Sequence, residues 1–155
     1  MSLESDVTDL WQRYDAGDLT ADDASAEDLT VLAEFLDALE DGEIRAAEHR
    51  GGEWVANAWV KRGILLNFGL RQIRRHEYGG VTYNDVLPLL DTDDLGRRGS
   101  RNTPDGTVAR RGAYIGSDVI MMSPSFVNIG AHVGDGTLVD SCDTVGSCAQ
   151  IGENV

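Results

Sequence analysis

Lysine is almost missing from this chain: Lys61 stands alone among 155 residues, and basic side chains total 13 against 27 acidic ones. The formal net charge is −14. Such a surface repels polyanions, which excludes nucleic acid and anionic membrane as main partners. Long apolar runs are also missing. No stretch approaches the roughly 20 residues of a membrane helix, and the start, MSLESDVTDLWQRYD, has neither a basic flank nor an apolar signal core. A cytoplasmic location is expected. An Asp-rich, Lys-poor composition fits either a salt-rich cytoplasm or an ordinary acidic protein. Cysteine is scarce too. Cys142 and Cys148 lie six apart, which matches neither paired zinc ligands nor a disulfide framework. The three histidines, His49, His76 and His132, are not spaced as metal ligands. What remains is a chain 41% apolar and about one domain long, enough for a real core.

The first hundred residues are mixed. Val7, Leu10, Trp11 and Tyr14 fall on one helical face, with Ser5 as the expected cap. Ser25-x-x-Asp28 forms a capping box before a second apolar face of Leu29, Leu32, Phe35, Leu36 and Leu39, and Gly42 is placed to stop that helix. Residues 44–48 and 53–57 flank Gly51-Gly52, a hairpin signal. Residues 59–70 read as a third helix, with Trp54 and Trp59 as anchors of this region. The Gly- and charge-rich stretch 91–105 reads as a linker or substrate-facing loop.

From Ala109 onward a six-residue period takes over. Every sixth residue from Ile115 is aliphatic: Ile115, Met121, Val127, Val133, Val139, Val145, Ile151. Four places later the residues are small or modest, except Asp143. The column just after each aliphatic holds Gly116, Met122, Asn128, Gly134, Asp140, Gly146 and Gly152, which favours types that tolerate unusual backbone angles. Each hexad is then a short strand plus a corner, and three hexads close one triangular coil around an aliphatic core. A parallel β-helix is predicted. The expected organisation is a helix-rich α+β domain with a hairpin over 1–100, followed by the start of the β-helix over 101–155. Val155 falls inside a hexad without a cap, so the sequence reads as the front portion of a longer protein, truncated within its β-helix.

The string FVNIGAHVGDGTLVDSCDTVGSCAQIGENV closely resembles the bacterial tetrahydrodipicolinate N-succinyltransferase family. The segments GEIRAAEHRGGEWVANAWVKRGILLNF, YNDVLPL and GSR resemble it as well, so the likeness covers roughly 30–155. VGSCAQIG within in-register hexads is its most specific part. The resemblance implies a left-handed β-helix, an exception to the usual right-handed crossover. It also implies a homotrimer with active sites between subunits. The family moves succinyl from succinyl-CoA to the amine of L-2-amino-6-oxopimelate, in lysine and diaminopimelate biosynthesis. Succinyl-CoA is a co-substrate; no metal or redox cofactor is expected. Most coenzyme contacts and a second acidic group are expected past Val155, and the 155 residues alone are expected to be inactive.

The same resemblance makes Asp140, in VDS, the family aspartate that contacts the substrate amine. A carboxylate there orients the amine and accepts its proton as the bond forms; by periodicity alone it reads as a turn aspartate. Arg101 matches the family arginine if one residue is inserted between it and Ala109. A guanidinium grips a substrate carboxylate with two parallel hydrogen bonds. Residues 97–111 carry five arginines against Asp105, a local net of +4 that leaves −18 for the remainder; Arg97 or Arg98 are the alternatives to Arg101. Asp143 is an anomaly, a carboxylate at an inward corner position where a small apolar residue is expected. Burial there is costly unless it is paired or protonated, and it faces either a subunit boundary or a partner arginine, with indirect support of the site as a further reading. Cys142 and Cys148 read as structural, pointing apart. His132 reads as an exposed corner residue. Met121, Met122 and Phe126 read as core or subunit contacts. The competing readings are another hexapeptide-repeat acetyltransferase and a non-catalytic β-helix scaffold. A γ-type carbonic anhydrase needs several histidines, where this coil holds only His132.

Overall fold

A computed structural model describes residues 2–155. Helix α1 (Leu3–Asp15) starts one turn earlier than expected. Ser2, not Ser5, is its cap: the Ser2 side chain accepts from the Ser5 amide at 3.3 Å. Glu4 and Asp6 in the first turn complement the positive end of the helix dipole. Helix α2 (Ala26–Glu40) has the reciprocal capping box, with Ser25 Oγ accepting from the Asp28 amide and Asp28 accepting from the Ser25 amide. It stops at Asp41, and Gly42 follows at φ +72, a left-handed angle that glycine takes without penalty. Strands β1 (Ala47–Arg50) and β2 (Glu53–Ala56) pair antiparallel around Gly51-Gly52. The first strand begins later than expected because Ile44 packs against the helical core instead.

Helix α3 (Ala58–Gly69) closes this region. Val7, Leu10, Leu32, Phe35, Leu36, Val60, Ile64, Leu66 and Leu70 form its core. Trp59 anchors it by an edge-to-face contact with Phe35 at 6.0 Å between centroids. Trp54 does not: it is 62% exposed on the hairpin, with His49 edge-on to its ring. A second hairpin, β3 (Arg74–Tyr78) and β4 (Val81–Asp85), turns at Gly79-Gly80.

The stretch 91–105 is not a plain linker. It contains a short helix, α4 (Asp93–Arg97), and a strand, β5 (Arg101–Asn102), that pairs in parallel with the coil. Ser100 pins the junction. Its buried hydroxyl donates to the Gly116 carbonyl at 2.7 Å and accepts from the Val119 amide at 2.9 Å.

The coil continues through β6 (Thr107–Ala109), β7 (Tyr114–Ile115), β8 (Ile120–Met121), β9 (Ser125–Val127), β10 (His132–Val133), β11 (Leu138–Val139), β12 (Thr144–Val145) and β13 (Gln150–Ile151). These strands form three parallel sheets, β5–β8–β11, β6–β9–β12 and β7–β10–β13, one per face of a parallel β-helix. Within the repeats each residue pairs with the one 18 later, as Tyr114 with His132 and His132 with Gln150. Ile115, Met121, Val127, Val133, Val139 and Val145 all point inward and are buried. Val119, Ser125, Ala131 and Thr137 fill the corners and are buried too.

The left-handed angles sit in a different column from the one expected. Gly112, Asp118, Gly130, Gly136, Cys142, Cys148 and Asn154 have φ between +55 and +80, three places after each aliphatic. The remaining corner holds Pro124, after a cis peptide. Gly116 and Gly134, each just after an aliphatic, have another cause, close approach of the next coil. A Cβ on Gly134 would lie 2.5 Å from the Gly152 carbonyl oxygen.

The helical domain and the coil meet at one corner. Ile129, fully buried, belongs to the helical core although it sits in the coil. Glu40, at the end of α2, accepts from the Gly112 amide at 2.6 Å and from Arg111, which also reaches Asp37. Burial raises the Glu40 carboxyl above its ordinary range, against the opposing pull of the Gly112 amide and Arg111.

Gly134→Ala therefore destabilises the chain by about 1–3 kcal/mol, because backbone is what it strikes. Gly96→Ala, on helix α4 with nothing within 4 Å of the added Cβ, leaves stability nearly unchanged. Urea unfolding of the two variants checks the contrast.

Candidate active site

The aspartate and arginine singled out by sequence lie on the same face of the coil. Arg101 stacks over Ile120, and Ile120 over Leu138, all in the outward register of β5–β8–β11. Asp140 lies two residues past Leu138, where the chain leaves this sheet for the next corner. Two coil spacings separate the levels of Arg101 and Asp140, roughly 10 Å along the stack.

The corner at Asp140 is built by its own hydrogen bonds. Asp140 Oδ1 accepts from the Ser141 amide at 2.7 Å, and the Asp140 amide donates to Asp143 Oδ2 at 3.1 Å. The Asp143 amide returns a bond to the Asp140 carbonyl at 3.2 Å. Asp143 is thus exposed, not buried as expected. Its carboxylate accepts from the Asp140 amide and so holds this turn. The Asp140 carboxylate is exposed on the rigid corner. Met122 and Thr103 sit above it in successive coils, their amides bonded to the Val139 and Met121 carbonyls.

The first coil carries the inserted residue. Arg101 pairs with Ile120, 19 places on, whereas Thr107 pairs with Ser125, 18 places on. The extra residue lies in the corner 103–106. That corner lines a cavity of about 560 Å³, together with Tyr78, Val81 and Tyr83 of the second hairpin. Asn102, next to Arg101, also lines it; Asp140 does not.

The basic run 97–111 divides sharply. Arg97 pairs with Asp94, Arg110 with Asp85, and Arg111 with Asp37 and Glu40. Arg98 donates to the Ile115 carbonyl at 3.2 Å, lies 3.7 Å from Asp41 and covers the Tyr114 ring. Arg101 alone of the five has no side-chain partner among the described residues, so it is the one available to an outside carboxylate.

His132 differs from its expected exposed corner. It lies mid-face on β10, half-buried, with its ring stacked on Tyr114 at 4.1 Å and 12°. Its Nδ1 is buried without a hydrogen-bond partner among the described residues. Burial, aided by the charge of Arg45 and opposed by Asp135, lowers its pKa to about 4. The signal that would have found this stack is the 18-residue spacing from Tyr114 to His132. Cys142 and Cys148 are free thiols at left-handed corners, Cys142 exposed and Cys148 against the helical core. Met121 is core, while Met122 and Phe126 are half-buried on the outside. No group of three or more His, Cys, Asp or Glu residues placed to hold a metal ion occurs among the described residues, nor is any helix long and apolar enough to cross a membrane.

A helical domain clasped to a parallel β-helix, with a free arginine and a corner aspartate on one face, defines the class. Comparison with known proteins narrows it. Residues 2–70 match the N-terminal region of tetrahydrodipicolinate N-succinyltransferase. Curated relatives carry the name 2,3,4,5-tetrahydropyridine-2,6-dicarboxylate N-succinyltransferase. That of Paramagnetospirillum magneticum is 42% identical over 99% of this chain and 55% of its own length. That of Dechloromonas aromatica is 35% identical over 99% and 56%, and that of Idiomarina loihiensis 48% over 77% and 44%. The chain is similar to members of this family along nearly its whole length, and it spans about half the length of the curated relatives it matches.

The His132 stack predicts a definite pH dependence. The unfolded chain holds a proton on this histidine below about 6.5, the folded chain only below about 4. Between these values the unfolded state binds more protons, so stability rises with pH across the window and the deficit is complete below it. Solvent screening of a half-buried ring keeps the swing below the roughly 3 kcal/mol of a fully desolvated one. The stability difference between the parent and His132→Gln, followed from pH 4 to 7 by urea unfolding, is the check.

Proposed function

We propose that this chain carries the amine-acceptor part of the active site of an N-succinyltransferase. The reaction moves succinyl from succinyl-CoA to the amino group of L-2-amino-6-oxopimelate, the opened form of tetrahydrodipicolinate, in lysine and diaminopimelate biosynthesis. The observation that carries the reading is that Arg101 and Asp140 share one face of the coil, the arginine unpaired and the aspartate fixed on a hydrogen-bonded corner. Their separation leaves room for a small extended diacid. Arg101 grips a carboxylate of the acceptor with two parallel bonds. Asp140 orients the amine and takes its proton as nitrogen attacks the thioester carbonyl. The C–N bond forms, the C–S bond breaks, and CoA leaves as the thiol. Asp143 acts only by holding the corner.

The whole protein is read as a cytoplasmic homotrimer of left-handed β-helices with sites between subunits. Residues 1–100 form its first domain and 101–155 begin the β-helix. The likeness to this family supports this arrangement, and the half-buried, outward Met122 and Phe126 offer contacts for a neighbouring subunit.

The test is thiol release from succinyl-CoA with L-2-aminopimelate, on the product of the complete reading frame containing this sequence, in high salt. Rapid release with succinyl-CoA and little with acetyl-CoA is expected. Asp140→Asn lowers kcat by about 10²–10⁴-fold. Arg101→Ala raises the acceptor KM at least about tenfold, the loss of a charge-assisted pair. A folded protein that releases no thiol from either donor, or an Asp140→Asn variant at full rate, overturns the assignment.

A further inference from the structure

Besides Arg101, the guanidinium groups of Arg45, Arg62, Arg71, Arg74 and Arg75 make no ion pair among the described residues, and Arg71 is the one held by a fully buried side chain. Arg71 follows α3 and is half-buried. Its Nε donates to Asn67 Oδ1 at 2.9 Å; no other side-chain bond or ion pair is made by Arg71 among the described residues. Asn67 is itself fully buried and fixed by its bond to the Gly63 carbonyl at 3.0 Å. The guanidinium is therefore held in place by a polar side chain inside the core, one turn back along the helix.

Its surroundings are cationic. Arg74 and His76 alternate onto the same side of β3 and line the same cavity of about 330 Å³. Gln72 joins them, and Leu29, Leu70, Val86 and Pro88 supply apolar walls. No carboxylate lines it. The nearby acids are engaged: Asp22 accepts from Gln72 at 2.9 Å, and Asp85 pairs with Arg110. The charges acting on Arg71 are the like charges of Arg111 and Arg74, which together with burial lower its proton affinity. His76 Nε2 lies 3.0 Å from the Asp85 carbonyl and the ring stacks on Tyr83, so it too is fixed.

In a chain with twice as many acids as bases, a partly desolvated arginine is readily paired. One that is held rigid and left facing a concave, acid-free surface is shaped for a ligand. We propose that Arg71 and Arg74 form a binding site for a small oxyanion, a carboxylate or a phosphate, on the helical domain. Arg71 supplies the oriented fork and Arg74 the mobile second charge. Neither Arg101 nor Asp140 lines this cavity, so the site does not rest on the acyl-transfer reading.

The experiment is an NMR titration of the 155-residue chain at low ionic strength, with inorganic phosphate in one arm and succinate in the other. Saturable shifts centred on Gln72 and His76, at millimolar or lower ligand, are expected in at least one arm. Phosphate alone identifies a phosphoryl ligand and succinate alone a carboxylate. Arg71→Gln weakens binding about tenfold or more, the loss of a charge-assisted pair. Arg74→Gln, on an exposed strand position where folding is safe, weakens it severalfold. Arg75→Gln removes the same charge from the opposite side of β3 and leaves binding unchanged. No saturation in either arm overturns the site. Equal weakening by Arg75→Gln overturns it as well, since that reports general charge and not a pocket.

Discussion

Parallel pairing at a separation of 18 residues is the constraint on which the rest of this structure depends. A strand of two or three residues has too few hydrogen bonds to stand alone. It persists because the strand one coil earlier and the strand one coil later fix its register. The same register sends Ile115, Val133 and their equivalents inward together, so each hexad is stabilised by burial only when its neighbours are in place. A one-residue slip would turn the aliphatics outward. The chain tolerates its inserted residue only in the corner between Asn102 and Thr107, where no ladder is broken.

The register also explains why chemistry collects at corners. Inward positions are filled by aliphatics and mid-face positions by stacked side chains, as with Tyr114 and His132. A corner is free to point a polar group at solvent while its backbone is held from both sides. Asp140 has that placement. Asp143 and the left-handed Cys142 complete the turn beneath it, so the carboxylate is exposed yet rigid. Preorganised polar groups on a rigid element are what acyl transfer requires of a protein.

Charge is distributed by the same economy. The acids dominate the surface, and most of the arginines near the domain seam are committed to them. Arg111 ties α2 to the coil through Asp37 and Glu40, and Arg110 ties the second hairpin to it through Asp85. Against that background two arginines without a carboxylate partner among the described residues differ from the rest: Arg101 has no side-chain partner on its face of the coil, and Arg71 is held by the buried Asn67.

The coil and much of the helical region were legible in the sequence, because both are written in side-chain periodicity. The six-residue aliphatic column, the Ser25–Asp28 capping box and the Gly51-Gly52 turn each arise from contacts close in the chain or repeated along it. The hairpin 74–85 was not legible, since its exposed, charged strands carry no apolar alternation. Nor was the true left-handed column. Gly116 and Gly134 after their aliphatics mark close passage of the next coil, as Gly152 passes Gly134, and not a backbone angle. The burial of His132 on Tyr114, the exposure of Trp54 and the pairing of Arg110 and Arg111 were decided by tertiary structure. The partners of His132, Arg110 and Arg111 lie 18 or more residues away, a distance that sequence spacing alone does not resolve into contacts.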